Sequence, residues 1–492
     1  MSYDLDEYGL PEEPYRLKAG TTLASSLVCL LLGLLTTNLV NDKYLGFAIV
    51  FLPLVFIFNW VIRAEGSHYS FVFLLFILAH FTDYGANQGG LWGVIVFAVA
   101  VLNFHVVAQA WKDLSKAEMF LLSILVLADV AGLVLVNNQS LPVRAQDLVV
   151  FGSLLFTYLI VSDIEVNPTF IRYLVYTWCA VLFYAFLVAL NQKYSVFNIA
   201  DTAFFPLRVS QQGFAYDTTR ASSIVNDYEL FSEFSVLSFV FMVSMFAYCR
   251  SMGVNRLVVV LAIGVSALSV LLSGTRAAFL LLFFFGFLFV LLNFGSFSRL
   301  ARTFLLGFML AALVLFLGSY FGLGTIDQRL SHVNVGSLTL AGVVNGSEIN
   351  RGSVFLLGFQ RLRSASWLLG YGYGISYSNR AAWFFDPDIH VADFHSLYLS
   401  LPMIWGWIGG VAFVLLIITL IVKMIGINSK VRNGEALLSG MLKALIAFWV
   451  IFLVDQYKID ILRSPNYVLL TFIMLGLTTA VVKSAREPGY FE

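Results

Sequence analysis

Long apolar runs, each closed by a short polar or charged stretch, repeat along almost the whole chain. A helix that crosses a bilayer needs about 20 consecutive apolar residues. Runs of that kind cover 21–40, 44–62, 70–82, 91–111, 117–136, 147–161 and 170–190. They continue over 230–248, 257–272, 277–294, 301–321, 396–422, 437–454 and 467–482. The runs are unbroken rather than alternating, which excludes transmembrane β-strands. The pattern predicts an all-α fold, a polytopic integral membrane helix bundle of about fourteen spans. The stretches 70–82 and 147–161 are the short ones. The polar start is followed by no small-residue cleavage site, so the first run is read as a retained anchor.

Composition agrees with the pattern. Of 492 residues, 60% are hydrophobic and only 12% charged, against about 45–50% and 25% in soluble proteins. No globular interior of this length hides that much apolar surface. The 29 basic residues are balanced by 29 acidic ones, so there is no basic footprint and no nucleic-acid partner is expected. Cys29, Cys179 and Cys249 fall inside or at the edges of spans, as small core residues rather than a disulfide framework or a metal site.

Sidedness follows from lysine and arginine in the short loops. With the N-terminus inside, one set of connections holds Arg16, Lys18, Arg63, Lys112, Lys116, Arg172, Arg250, Arg256, Arg299 and Arg302. The same set continues with Lys423, Lys430, Arg432, Lys483 and Arg486. The alternate short connections are nearly bare, with Lys43 and Arg144 alone. Both termini are therefore expected in the cytoplasm. The organisation reads as a cytoplasmic segment 1–20, an N-terminal bundle 21–190, a first external loop 191–229 and central helices 230–321. A large external loop 322–394, C-terminal helices 395–482 and a cytoplasmic tail 483–492 complete it. The large loop is far longer than ordinary connections of about 4–6 residues, and its stretch 351–369 mixes apolar and basic positions as an interfacial amphipathic helix does.

Positive charge on the external face runs against that bias. The external loops carry Arg208, Arg220, Arg276, Arg329, Arg351, Arg361, Arg363 and Arg380, and few lysines. Arginine is suited to bidentate contact with phosphate or carboxylate; it also snorkels to lipid headgroups, and long loops escape the charge rule. Arg276 fits the second explanation badly. It lies in the turn of LLSGTRAAFLLL, where Thr275 is a plausible N-cap. A cation there opposes the helix dipole, at a cost of roughly 0.3–1 kcal/mol, and joins free helix-end amides in an anion site.

His395 stands in VADFHSLYLSLPMIWGWIGG, where the large loop re-enters the membrane. With Asp393 as cap, His395 falls in the first turn, where the dipole favours the neutral, proton-accepting imidazole. A positioned base of that kind activates a hydroxyl nucleophile by roughly 10²–10⁴ in rate. The same residue is equally read as a hydrogen-bonded capping histidine, and His390 is close enough to play either part. Neither histidine has metal-site spacing. LGYGYGIS, with Gly370, Gly372 and Gly374, follows no strand and reads as a flexible loop. Asp129, in mid-span, needs a polar partner, and Asp455, Lys458 and Asp460 are placed to line the same external cavity.

Three segments together resemble the bacterial O-antigen polymerase and O-antigen ligase superfamily: TTRASSIVNDYELFSEF, LLSGTRAAFL, and GYGYGIS with FHSLYLSLPMIWGWIGG. The likeness covers roughly residues 205–425. It implies a GT-C-like, metal-independent membrane glycosyltransferase of the bacterial inner membrane, with no cofactor and its active site facing the periplasm. The donor and acceptor it implies are undecaprenyl-diphosphate-linked glycans, with membrane lipids and a polysaccharide chain-length regulator as further partners. Arg220 and Arg276 would bind the donor diphosphate, and His395 would orient or deprotonate the acceptor hydroxyl. Arg361 would contact diphosphate or sugar, with Arg363, Arg351, Arg208, Arg380 and His390 as further substrate contacts. The leading expectation is a polymerase of surface polysaccharide or lipopolysaccharide O-antigen. A ligase that delivers the glycan to lipid A–core or to protein comes second, and a lipid-linked oligosaccharide flippase third.

Overall fold

A computed structural model describes residues 96–101, 103–137, 140–197, 220–225, 227–292, 368–373, 396–431 and 436–485. Most of those residues are helical, and no strand occurs among them. In chain order the helices are α1 (Phe104–Lys112), α2 (Lys116–Ala131), α3 (Leu141–Ser162), α4 (Pro168–Tyr194) and α5 (Tyr228–Phe246). They continue with α6 (Arg256–Ser273), α7 (Arg276–Leu292), α8 (Leu397–Asn428), α9 (Ala436–Asp455) and α10 (Pro465–Ser484). Eight are long and apolar enough to cross a membrane, α2 counted with its continuation to Val136; α1 and α7 are shorter. The expected spans 21–40, 44–62, 70–82 and 301–321 lie outside the described residues.

Local chemistry starts these helices where they start. Ser115 and Glu118 form a reciprocal capping box at α2, which satisfies two otherwise orphaned amides. Asn167 Oδ1 accepts from Phe170 N, followed by Pro168 in the first turn of α4. Asp227 Oδ1 accepts from Glu229 N and Leu230 N at α5, at 2.7 and 3.1 Å. Ser464 Oγ accepts from Tyr467 N at α10. Gly274, at φ +61°, closes α6 in the left-handed conformation.

Packing puts α10 and α5 at the centre. Of their most apolar stretches, 94% and 83% of residues are buried inside the protein, so these two face other helices on nearly every side. α2 runs along α8, α3 along α10, α4 against α6, and α5 between α6 and α9. At one end Lys423 Nζ pairs with Glu118 Oε2 at 2.7 Å, and Lys423 Nζ also donates to Ser115 Oγ. Thr479 Oγ1 donates to Glu118 Oε1, and Tyr158 shares a hydrogen bond with Thr479. This network joins α2, α3, α8 and α10. Cys179 and Cys249 are buried core residues; burial pushes the Cys249 thiol up from its ordinary value.

Several elements differ from the sequence expectation, each for a physical reason. The stretch 91–111 is not one helix: Asn103 donates from its side chain to Val99 O at a break, after which α1 starts afresh. The short run 147–161 is part of a full 22-residue helix, α3, because its first turn is more polar than a hydropathy scan accepts. α8 begins at Leu397 with Ser396 at the N-cap, three residues later than a cap at Asp393 implies, so the first turn excludes position 395. Leu368 and Leu369 form a turn, so no helix reaches 369; the rest of 351–369 lies outside the described residues. The buried Thr275 Oγ1 has no hydrogen-bond partner among the described residues, and the expected side-chain cap of α7 is not made.

The largest difference is the glycine-rich segment, which is docked rather than loose. α8 contains Pro402 and breaks its helical path at Gly406, φ +64°. The break frees two carbonyls: Met403 O accepts from Tyr371 N at 2.9 Å, and Ile404 O accepts from Gly372 N at 2.7 Å. On the other side α2 widens into a π-turn, Gly132–Val136. A Cβ on Gly132 would stand 2.6 Å from Gly372 N, and one on Gly406 1.9 Å from Leu368 O. Glycine is required at both places by closeness of backbone to backbone. Asp129 supplies the polar anchor, with its Oδ1 accepting from Tyr373 N (2.7 Å) and Trp405 Nε1 (2.9 Å). The tenth residue of α8 lies about 14 Å from its start at 1.5 Å per residue. Non-helical backbone at such depth persists where protein surrounds it, as α2 and α8 do here.

Candidate functional site

The end of the bundle opposite Lys423 holds a second group of polar side chains. Residues 220–225 lie against the tips of α4 and α6. Ala221 N donates to Leu272 O at 3.1 Å, two residues before Gly274. Gln192, near the end of α4, grips the same segment: its Oε1 accepts from Ser222 N and Ser223 N, and its Nε2 donates to Ser223 O. Ser223 takes a left-handed φ of 55°, a strain that persists only where surroundings over-determine it; its hydroxyl donates to Ala185 O.

That grip fixes Arg220. Its guanidinium lies over the Tyr228 ring, 4.5 Å from the centroid, in a cation–π contact. Its Cγ is 3.5 Å from where a Cβ on Gly274 would stand. Arg276 opens α7 two residues after Gly274. Two of the arginines expected to act together therefore sit on adjoining backbone, although the side chain of Arg276 is not described.

Beside Tyr228 runs a row of buried carboxylates. Glu229 Oε1 faces Lys458 Nζ at 3.6 Å, and Glu233 Oε1 accepts from Gln456 Nε2 at 2.8 Å. Both glutamates lie on α5, four residues apart, on one face. The turn after α9 then meets the start of α8: Gln456 O and Ile459 O both accept from Leu397 N, at 3.1 and 3.0 Å. Ser400 Oγ donates to Asp460 Oδ2, and Tyr398 OH donates to Leu453 O. Arg220, the opening of α7, Glu229, Glu233, Asp455, Lys458, Asp460 and Ser396 thus share one end of the bundle. Ser396 is the chain neighbour of His395. His395, His390, Arg208, Arg351, Arg361, Arg363 and Arg380 lie outside the described residues.

Sequence reasoning placed Asp455, Lys458 and Asp460 with the arginines but missed Glu229, Glu233, Gln456, Tyr467 and Gln192. For the two glutamates a signal existed: ionisable residues within an apolar span mark function or pairing by default. For Gln192 and Tyr467 there was none, since their partners are distant in sequence. Asp129 does find polar partners, as a structural anchor of the re-entrant segment. Among the described residues no group of three or more His, Cys, Asp or Glu side chains is arranged to hold a metal ion.

No protein-family model matches the chain, and no curated protein is significantly similar to it. Fold and site together define a multi-pass α-helical membrane protein with a polar, arginine-bearing cluster at one end of its bundle.

Proposed function

We propose that this protein is a GT-C-type membrane glycosyltransferase of about fourteen spans that polymerises undecaprenyl-diphosphate-linked repeat units on the periplasmic face. One observation carries the reading: the segment 220–225 is hydrogen-bonded onto the last turn of α6, and Arg220 lies against Gly274, two residues before the start of α7 at Arg276. In such a transfer the acceptor hydroxyl oxygen attacks the anomeric carbon, and the bond from that carbon to the diphosphate oxygen breaks. Negative charge grows on the leaving diphosphate, where guanidinium groups are the complementary donors. The hydroxyl proton passes to a base, assigned to His395 on the grounds of its type and place beside Ser396. Gln192 and Tyr228 hold Arg220 so that less orientation is lost when the diphosphate arrives.

Transfer onto lipid A–core or protein uses the same chemistry with another acceptor. The broken helix α8 favours a different class, since transporters build their sites from discontinuous helices. Here the break is filled by the backbone of 371 and 372, which leaves the freed carbonyls no coordinating role. Purified protein in liposomes with lipid-linked repeats separates the three. Products longer by whole repeats, unaffected by a chelator, support the polymerase. Transfer only onto added lipid A–core or protein supports the ligase, and movement across the bilayer without growth contradicts the transferase reading altogether.

A further inference from the structure

The carboxylate row on α5 and α9 contains more acceptors than the protein satisfies. Among the described residues the buried Asp455 Oδ2, Gln456 Oε1 and Tyr467 OH have no hydrogen-bond partner. Asp455, Gln456 and Tyr467 are 3%, 0% and 5% exposed, so water does not freely solvate these atoms. Burying such a group unpaired is destabilising, and more so when it is charged. Three within one cluster is a recurring cost that packing alone does not explain.

Their positions converge. Tyr467 stands in the first turn of α10 and lines one small, largely apolar cavity together with Phe234 of α5 and Phe452 of α9. The charges of Glu233 and Asp455 act on it, and Asp455 in turn interacts with Lys458 and Glu229. Gln456 gives one amide hydrogen to Glu233, while its oxygen has no partner among the described residues. A carboxylate oxygen and an amide oxygen accept, and a phenol hydroxyl both gives and takes. A ligand that fits must present several hydrogen-bond donors close together, carry no negative charge against Glu229, Glu233 and Asp455, and be small enough to enter between helices. The pyranose hydroxyl groups of a sugar have these properties; a diphosphate does not.

We infer that Asp455, Gln456 and Tyr467 form a subsite for sugar hydroxyl groups of the acceptor glycan. The division is electrostatic: phosphate belongs with Arg220 and the opening of α7, the neutral polyol with the carboxylates of α5 and α9. This inference rests on the transferase reading for the identity of the glycan, though not for the existence of the site.

The test uses the full chain in nanodiscs with two probes: the repeat oligosaccharide released from its lipid, and undecaprenyl diphosphate. Tyr467→Phe and Asp455→Asn preserve side-chain volume. Each is expected to weaken oligosaccharide binding in saturation-transfer NMR, about three- to tenfold for the loss of one neutral hydrogen bond and more for the carboxylate. Undecaprenyl diphosphate affinity stays within twofold. Unchanged oligosaccharide binding in both variants, or equal loss of both probes, overturns the subsite. So does an unaltered chain that binds no oligosaccharide. An unaltered chain that binds the oligosaccharide in a Tyr467-dependent way but ignores undecaprenyl diphosphate supports the subsite and removes the transferase reading instead.

Discussion

Gly406→Ala tests how firmly the re-entrant segment is built into the bundle. Alanine at φ +64° costs about 1–2 kcal/mol from the left-handed backbone alone. Its Cβ would also stand 1.9 Å from Leu368 O and 2.4 Å from Leu368 C. These are backbone atoms, so no rotamer change relieves the clash and residues 368–373 must withdraw. Withdrawal breaks the hydrogen bonds from Tyr371 N and Gly372 N, each worth about 0.5–1.5 kcal/mol. It also takes from Asp129 the amide of Tyr373, and a buried carboxylate short of donors adds about 1–3 kcal/mol. The expected loss is about 3–8 kcal/mol, which reaches the range reserved for a few severe mechanisms. Gly426→Ala supplies the control, because nothing lies within 4 Å of a Cβ there. In the same helix it is expected to be neutral or to gain up to about 1 kcal/mol from helix propensity. Both variants are compared by denaturant unfolding in nanodiscs, followed by tryptophan fluorescence. If Gly406→Ala unfolds within about 1 kcal/mol of Gly426→Ala, the docking of 368–373 on α8 is wrong.

Other consequences follow from the same geometry. Arg220→Lys and Arg276→Lys each lose most transfer activity in liposomes, because a point charge does not replace a bidentate fork; near-normal polymer from either contradicts the diphosphate role. His395→Ala abolishes transfer and leaves the unfolding midpoint unchanged, and activity that tracks His390 instead moves the base to that residue. Glu118→Gln leaves Lys423, 17% exposed at its side chain, beside a neutral amide. Breaking a buried pair this way costs about 3–5 kcal/mol, and a double variant with Lys423→Met recovers part of it; no recovery shows that the two residues are not coupled.

The spans were legible because the bilayer imposes its own length on each apolar run. α4, α5, α6, α9 and α10 therefore start and stop within a few residues of their hydropathy limits. What the sequence did not disclose is what depends on partners far along the chain. Nothing local in LGYGYGIS shows that Gly370 and Gly372 face the backbone of 404–406 and Leu133. Nor does any local pattern show that Asp129 waits for an amide 244 residues away. The same holds for the site: the short turn at Gly274 pointed to Arg276, but Arg220 joins it only through Gln192 and Leu272. The glutamates of α5 were visible as charges within an apolar run and were passed over in favour of the arginines.

The central claim is that guanidinium groups on adjoining backbone bind a lipid diphosphate. Calorimetric titration of undecaprenyl diphosphate into the purified chain in nanodiscs measures it directly. The account predicts saturable binding that weakens at least tenfold in Arg220→Ala and in Arg276→Ala, the two effects combining non-additively because both groups grip one ligand. Binding that is absent, or that both variants retain at full strength, contradicts it.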